Sequence, residues 1–236
     1  MKVYFIRHAE PDYSNDSLTE KGWREAALLA ERLKRLPNAH YYVSPMGRAK
    51  DTASLTLEQV SGEAEVLPWL HEFEGLCMVP GTGTSESASA RYPRCWANDP
   101  LCYDFQQWQH SSLYEGGNAY DEYLKVSDGI DALLEKHGYV REGGLYRVVH
   151  ANKDNLVLFC HGIVTTVILA HMMQVSPVIL WHLMIAPPSS VTILSSEERE
   201  EGIAIFRMNC YGDCAHLVAS GEPVSPKGRF QEVFLE

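Results

Sequence analysis

The chain has 236 residues, of which 45% are hydrophobic and 22% are charged, a composition typical of a soluble globular protein. Its formal net charge of −11 excludes a general electrostatic attraction to nucleic acid or to an anionic membrane surface, and no apolar run approaches membrane-spanning length. The initial Met-Lys leads directly into a strand-like segment, so we expect no signal peptide, a cytoplasmic location and reduced cysteines.

The first third of the sequence alternates between strand and helix patterns. Strands are predicted over residues 2–6, 40–43 and 64–67. Thr19 opens a helix whose apolar residues recur at helical spacing and which ends before Pro37. Ser44 is predicted as the N-cap of a second helix, with Pro45 in its first turn, that runs to about Val60. This alternation predicts a βαβαβ unit with a parallel sheet.

Regular patterning stops between residues 76 and 117, a segment rich in Pro, Gly, Ser and aromatic residues. An irregular segment of this length within a compact domain is usually a lid or a binding insertion. We therefore expect a single domain over residues 1–236 with a cap insertion at 76–117. The aromatic residues of this insertion favour a substrate whose leaving group has a flat or apolar part.

The remaining sequence predicts a helix, a hairpin, a buried strand, a second helix and an antiparallel pair of strands. In chain order these are residues 119–137, the hairpin 139–142 and 145–150, the strand 155–160, the helix 163–173, and the pair 191–195 and 203–208. The predicted fold is an α/β three-layer sandwich around a mostly parallel sheet with an antiparallel edge, plus the irregular cap. The last ten or so residues are expected to form a loose tail.

Two of the predicted strands end in a histidine, His8 after Arg7 and His161 after an apolar run. Residues at the carboxyl ends of neighbouring parallel strands face one crevice, and Arg48, early in the second helix, can reach the same place. Guanidinium groups bind phosphate oxygens through paired hydrogen bonds. Two arginines and two histidines at one crevice therefore predict a phosphate site.

Three motifs contain these residues, and a fourth, Leu18–Gly22, lies between the first two of them. They are Arg7-His8-Ala9-Glu10, Leu18-Thr-Glu-Lys-Gly22, Ser44-Pro-Met-Gly-Arg48-Ala-Lys-Asp-Thr-Ala53 and Cys160-His161-Gly162. In this order the set resembles the histidine phosphatase superfamily, the phosphoglycerate mutase-like enzymes, with Ala in the first motif where the family usually has Gly. The resemblance covers roughly residues 1–75 and 155–175, and the middle third shows no match.

The resemblance implies that His8 is the nucleophile and forms a phosphohistidine, because a neutral imidazole attacks phosphorus and the resulting bond is labile to water. It also implies that Arg7, Arg48 and His161 bind the transferring phosphoryl group, with no metal ion and no cofactor. The amides that begin the helix after His161 are expected to add to anion binding. The family's acid lies in a Leu-X-Glu context, which Glu72 matches, and Glu74 is the alternative.

Hydrolysis is the expected reaction, since the stretch after Glu10 lacks the mutase pattern and the middle segment offers only Arg91 and Arg94 in place of an Arg-Arg pair. We thus predict a metal-independent phosphomonoester hydrolase acting on a small phosphorylated metabolite. Mutase-type phosphoryl transfer and a non-catalytic phospho-ligand-binding protein are the alternatives.

Several polar residues have simpler interpretations. Cys210, Cys214 and the nearby His216 match no common zinc pattern, so no metal is expected there. Asn15 and Thr19 suit a loop and a helix cap better than a phosphate contact. The histidines expected to have structural or surface roles are His40, His71, His150, His171 and His182.

Overall fold

The computed structural model describes residues 1–79 and 81–229, and the expected tail lies largely outside them, over residues 230–236. The strands are β1 (Lys2–Arg7), β2 (Pro11–Asp12), β3 (Ser17–Leu18), β4 (Ala39–Val43), β5 (Ala64–Val66), β6 (Leu76–Met78), β7 (Ser85–Ser87), β8 (Tyr139–Glu142), β9 (Leu145–Val148), β10 (Asn155–Cys160), β11 (Val191–Glu200) and β12 (Ile203–Asp213). The α-helices are α1 (Glu20–Leu33), α2 (Gly47–Val60), α3 (Pro93–Trp96), α4 (Ala119–Lys136), α5 (Gly162–Met173), α6 (Pro177–Leu183) and α7 (Ala215–Ser220).

Eight of these strands form one sheet in the order β5-β4-β10-β1-β11-β12-β9-β8. The first four are mutually parallel, and the remaining strands pair antiparallel from β11 onward. This arrangement confirms the predicted α/β fold, a parallel sheet with an antiparallel edge. Because β10 lies between β4 and β1, the carboxyl ends of β1 and β10 are direct neighbours.

Alternate residues of β1 face two separate helix layers. Val3 and Phe5 belong to the core cluster that includes residues of α4 and α5, whereas Tyr4 and Ile6 pack in a second cluster with residues of α1 and α2. A strand with hydrophobic residues on both faces is stable only when both faces are covered. The sheet therefore lies between two layers of helices, as the three-layer prediction requires.

The antiparallel pair is longer than the sequence indicated. Strand β11 continues through Glu200, and β12 through Asp213, so the acidic residues Glu197, Glu198 and Glu200 lie in a strand. Glu197 forms an ion pair with Arg207 on the facing strand, and Gly202 takes the turn with a φ of +77°. Cross-strand charge pairing lets exposed acidic residues continue a strand that their composition alone does not predict.

The segment 76–117 contributes part of the main core. Trp108 is fully buried, and its ring packs edge-on against Tyr114, Tyr123 and Trp181. Trp96, Trp108 and Tyr114 are buried packing residues, which differs from the substrate-facing role expected for them, whereas Tyr92 and Tyr103 are exposed. That the segment acts as a cap stays a prediction. Among the described residues, no helix is both long enough and apolar enough to cross a membrane.

Candidate active site

The two predicted histidines meet at the carboxyl edge of the parallel strands. Arg7 pairs with Cys160 in the register of β1 and β10, and His8 continues the pairing by donating its amide to the carbonyl of Cys160. The rings of His8 and His161 consequently lie 5.1 Å apart between centroids, with 2% and 0% exposure. The convergence expected from the sequence is present.

His8 has one defined tautomer. Its Nδ1 lies 2.8 Å from the carbonyl oxygen of Ala9, which can only accept, so Nδ1 carries the proton and Nε2 keeps its lone pair. Burial and, to a lesser extent, the charges of Arg7 and Arg48 outweigh the opposing effect of the Ala9 carbonyl and lower the pKa of His8 to about 3. His8 is therefore a neutral imidazole near pH 7, with Nε2 available as a nucleophile.

His161 is held by Ser44. The Nε2 atom of His161 lies 2.7 Å from Oγ of Ser44, and that oxygen also accepts the amide of Met46 at 3.3 Å. In the tautomer in which the serine hydroxyl donates to Nε2, the proton of the His161 ring is on Nδ1, which has no hydrogen-bond partner among the described residues. Burial, followed by the charges of neighbouring groups including Arg48, holds the pKa of His161 well below its usual value.

The bond to His161 corrects the role predicted for Ser44. Helix α2 begins only at Gly47, its N-cap is Met46, and no side chain of the cap residue satisfies its amides. The carboxylate of Asp16 supplies this function instead, since its Oδ2 accepts from the Gly47 amide at 2.6 Å. By contrast, Thr19 caps α1 as predicted, accepting from the amide three residues ahead.

Arg48 is buried and points toward Asp16 and Tyr13. Its Nη1 lies 2.6 Å from Oδ1 of Asp16, and its guanidinium carbon lies 5.5 Å from the Tyr13 ring centroid. Burial alone would raise the pKa of Asp16, but hydrogen bonds from Gly47 and Arg48 hold it below its usual value. Asp16 therefore orients the guanidinium while it caps the helix, a role that sequence patterning did not indicate.

Arg7 is buried beside His8 and forms no ion pair with Glu10 among the described residues. Its Nη1 donates to the carbonyl of Ala186, while the Glu10 carboxylate accepts from other residues, including Ser225. A Cβ atom at Gly228, where φ is +86°, would lie 2.5 Å from Nη2 of Arg7. The chain near residue 228 thus passes directly over the guanidinium, and only glycine fits there.

The side chain of Glu72 lies beside the N-terminal end of α5, the helix that begins directly after His161. Its Oε1 accepts the amides of Phe73 at 2.9 Å and Val164 at 3.0 Å, and its Oε2 accepts that of Ile163 at 3.4 Å. Glu74, the alternative acid, is exposed. The amides of Ile163 and Val164 therefore bind the Glu72 carboxylate, and that this end of the helix adds to phosphate binding stays a prediction.

Arg7 and Glu72 line one open cavity of about 440 Å³. Its wall on one side is the stretch 181–186, in which Leu183 and Ile185 are exposed. Of the segment 76–117, Ser89 reaches this cavity, but Trp96 and Trp108 do not line it. The cavity thus joins an end that carries Arg7 and Glu72 to an apolar wall.

Among the described residues, Cys210, Cys214 and His216 do not form a cluster of metal-ligand atoms. The thiols of Cys210 and Cys214 contact the backbone oxygens of Val191 and Gly212, and His216 Nε2 lies 2.7 Å from Oγ of Ser189. All six cysteines are free thiols within the described residues.

Comparisons with known proteins support the architecture. The profile of the histidine phosphatase superfamily (branch 1) matches residues 3–209. A mycobacterial glucosyl-3-phosphoglycerate phosphatase superposes with a TM-score of 0.59 at 18% identity, covering 89% of this chain and 98% of that chain. Phosphoserine phosphatase from Entamoeba histolytica, in complex with 3-phosphoglyceric acid, superposes with a TM-score of 0.61 at 16% identity, covering 92% and 98%. At these identities the superpositions show a shared fold.

A curated sequence is also similar. The protein named "Probable phosphoglycerate mutase GpmB" from Cronobacter sakazakii is 31% identical over 83 residues, which is 31% of this chain. The match spans 39% of the length of that relative. The profile match covers most of the chain and confirms the resemblance carried by the four motifs. This chain belongs to branch 1 of the histidine phosphatase superfamily.

Proposed function

We propose that this protein is a phosphomonoester hydrolase that works through a phosphohistidine. The supporting observation is the neutral, buried His8, whose Nε2 is unprotonated and whose neighbours are two guanidinium groups and a second neutral imidazole. A nucleophile that needs no prior deprotonation, surrounded by fixed cations, is suited to accept a phosphoryl group.

The reaction has two balanced steps. Nε2 of His8 attacks phosphorus, the bond to the leaving oxygen breaks, and Glu72 as a carboxylic acid gives that oxygen its proton. Water then attacks the phosphohistidine and passes a proton to the Glu72 carboxylate. The P–N bond breaks, inorganic phosphate leaves, and the lone pair returns to Nε2.

Unpartnered donors near His8 support the phosphate site. Nε of Arg7, Nε of Arg48 and Nδ1 of His161 are all buried and have no hydrogen-bond partner among the described residues. Buried donors without partners are rare in native proteins and call for an explanation. The three equatorial oxygens of a transferring phosphoryl group provide acceptors for them.

The substrate class we propose is a small phosphorylated metabolite. A cavity of about 440 Å³ suits a ligand of that size. The apolar wall at 181–186 favours a leaving group with an apolar part. The support for an apolar leaving group thus comes from this wall and not from Trp108, which is buried in the core.

Replacing His8 by Gln tests the reaction. We expect hydrolysis of p-nitrophenyl phosphate to fall by about a thousandfold or more, because the nucleophile is lost and Gln cannot replace it. The exposed His110 gives a matched control, since His110→Gln should keep full activity. Acid-quenched protein should carry an acid-labile phosphoryl group on His8, and chelators should leave the rate unchanged. Near-normal turnover by His8→Gln would exclude this mechanism.

Two other outcomes identify the alternatives. Tight binding of phosphorylated compounds without any labelled histidine would indicate a phospho-ligand-binding protein. Interconversion of phosphoglycerates stimulated by 2,3-bisphosphoglycerate would indicate a mutase, which the similarity to the Cronobacter sakazakii protein keeps as the second candidate.

A further inference from the structure

A second group of ligand-type side chains lies at the opposite edge of the sheet. His40 is near the start of β4, Asp154 directly precedes β10, and His137 follows the last residue of α4. Among the described residues, these three form the one group of His, Cys, Asp or Glu side chains whose ligand atoms all lie within 4.8 Å of one another. Because β4 and β10 begin where β1 begins, this cluster is remote from His8.

We propose that His40, His137 and Asp154 bind one divalent transition-metal ion, with Zn²⁺ as the reference ion. Oδ2 of Asp154 lies 3.5 Å from Nε2 of His40 and 3.6 Å from Nδ1 of His137. Ligands about 2.0–2.2 Å from a tetrahedral ion are about 3.3–3.6 Å apart, so both separations match the edges of such a site. The ligand atoms of the three residues all lie within 4.8 Å of one another, and an ion would draw the two histidine nitrogens to the edge length of the site.

Direct hydrogen bonds from His40 and His137 to Asp154 explain these distances less well than a shared metal ion does. An N–H···O bond has a donor–acceptor distance of about 2.7–3.2 Å, and both histidine nitrogens lie farther than that from Asp154. The two rings are 4.9 Å apart between centroids, so the nitrogens surround the carboxylate oxygen without closing on it. The arrangement leaves room for an ion between the three groups.

The surrounding residues fix the ligands in suitable states. Nε2 of His137 lies 2.7 Å from the hydroxyl of Tyr42, so a proton on Nε2 can be donated there while Nδ1 keeps its lone pair. The side chain of Asn152 accepts the Asp154 amide at 3.1 Å and donates to the His137 carbonyl at 2.8 Å. One loop residue therefore connects the backbones of two ligands.

Ligand chemistry and exposure set the class of ion. Two imidazoles and one carboxylate favour Zn²⁺, Co²⁺, Ni²⁺ or Cu²⁺ over Mg²⁺ and Ca²⁺, which prefer all-oxygen sites. The His40 side chain is 48% exposed, which gives an ion access from solvent. Three protein ligands leave the fourth position to water. The charge of Lys136 opposes the ion, although Lys136 is paired with Glu65.

A bound ion would join the start of β4, the end of α4 and the loop before β10. Its expected effect is on stability and not on turnover, because the phosphoryl-transfer groups lie at the other edge of the sheet. The metal site can therefore be tested separately from the proposed function, because phosphate ester hydrolysis should persist in the presence of a chelator.

Titration of chelator-stripped protein with Zn²⁺ and Co²⁺ tests the proposal. We expect wild type to bind one ion at this site, to gain thermal stability, and to give the visible absorption of tetrahedral Co²⁺. His40→Asn and Asp154→Asn should each weaken binding at least tenfold and abolish the Co²⁺ signal, while both keep p-nitrophenyl phosphate hydrolysis. His40 is largely exposed, so its variant should fold even if Asp154→Asn does not.

The exposed His150 provides the matched control, since His150→Asn should bind as wild type does. Wild type that binds no ion overturns the proposal. Equal Zn²⁺ affinity in wild type and His40→Asn also overturns it, because the ion would then lie elsewhere, for example on the active-site histidines.

Discussion

Lowering the pH from 7 to 5 should destabilise this protein strongly, because several histidines are buried in the neutral state. Burial is the main cause in each case: it lowers the pKa of His8 to about 3 and those of His182 and His216 to about 4. It also holds the pKa of His161 well below its usual value. Each of these groups must therefore be uncharged in the folded protein across that pH range.

The sign and size of the effect follow from linkage. In the unfolded chain a histidine titrates near about pH 6.5, so between that pH and the folded pKa only the unfolded state binds the proton. The stability associated with each group is complete above that pH and is lost as the pH falls toward the folded pKa. One such histidine costs about 2 kcal/mol between pH 7 and pH 5, and four cost roughly 7 kcal/mol. The total unfolding free energy of a typical domain is about 5–15 kcal/mol, so this loss is a large part of it.

Urea unfolding at pH 7, 6 and 5 measures this loss, and His182 allows one group to be removed cleanly. Its ring stacks on Trp96, with centroids 4.7 Å apart and planes 7° apart, and its Nε2 has no partner among the described residues. His182→Phe keeps the aromatic stack and removes the titrating group. Between pH 7 and pH 5 this variant should therefore lose about 2 kcal/mol less unfolding free energy than wild type. The exposed His110 is the control, and His110→Gln should leave the pH dependence unchanged. Equal stability of wild type at pH 5 and pH 7 would refute this reasoning.

Three further predictions concern single side chains. Glu72→Gln should slow the hydrolysis of alkyl phosphates by about 10²–10⁴-fold but that of p-nitrophenyl phosphate far less, because only a poor leaving group needs the proton. Glu74 is exposed, and in steady-state assays Glu74→Gln should match wild type. Asp16→Asn should lower the urea midpoint by an amount equivalent to about 1–2 kcal/mol and raise KM for phosphate esters, since α2 loses its charged cap and Arg48 its partner. Trp108→Ala should cost about 3–5 kcal/mol of unfolding free energy, whereas Trp108→Phe should leave KM unchanged, because this ring lies in the core and not in the cavity.

Much of the site could be predicted because its residues are tied to strand ends. His8 and His161 each follow a short apolar run, and a parallel sheet brings such positions to one edge whatever the loops do. The sequence did not indicate that β10 would lie between β4 and β1. Strand order depends on pairings between distant segments, which local periodicity does not record.

The residues that were missed act through long-range contacts. Ser44 has the local pattern of a helix cap, but its hydroxyl bonds His161, which is 117 positions away in the chain. Asp16 reaches Arg48 across 32 positions, and that contact exists only once the β2–β3 hairpin has folded against α2. Trp108 lies in an irregular segment, and nothing local distinguishes an aromatic residue of a cap from one that fills the core.

Burial of His8 connects the chemistry of the site to its fragility. The same desolvation that keeps Nε2 unprotonated also makes the folded state unfavourable in acid, so the two properties cannot be separated by mutation of His8 alone. Because the pKa of His8 is about 3, protonation of this proposed nucleophile should not limit turnover at pH 5 to 7. At saturating p-nitrophenyl phosphate, kcat should therefore follow the folded fraction measured by near-UV circular dichroism. If kcat instead falls tenfold per pH unit below pH 6.5 while the spectrum stays native, His8 is titrating in the folded protein, and its neutrality has been misjudged.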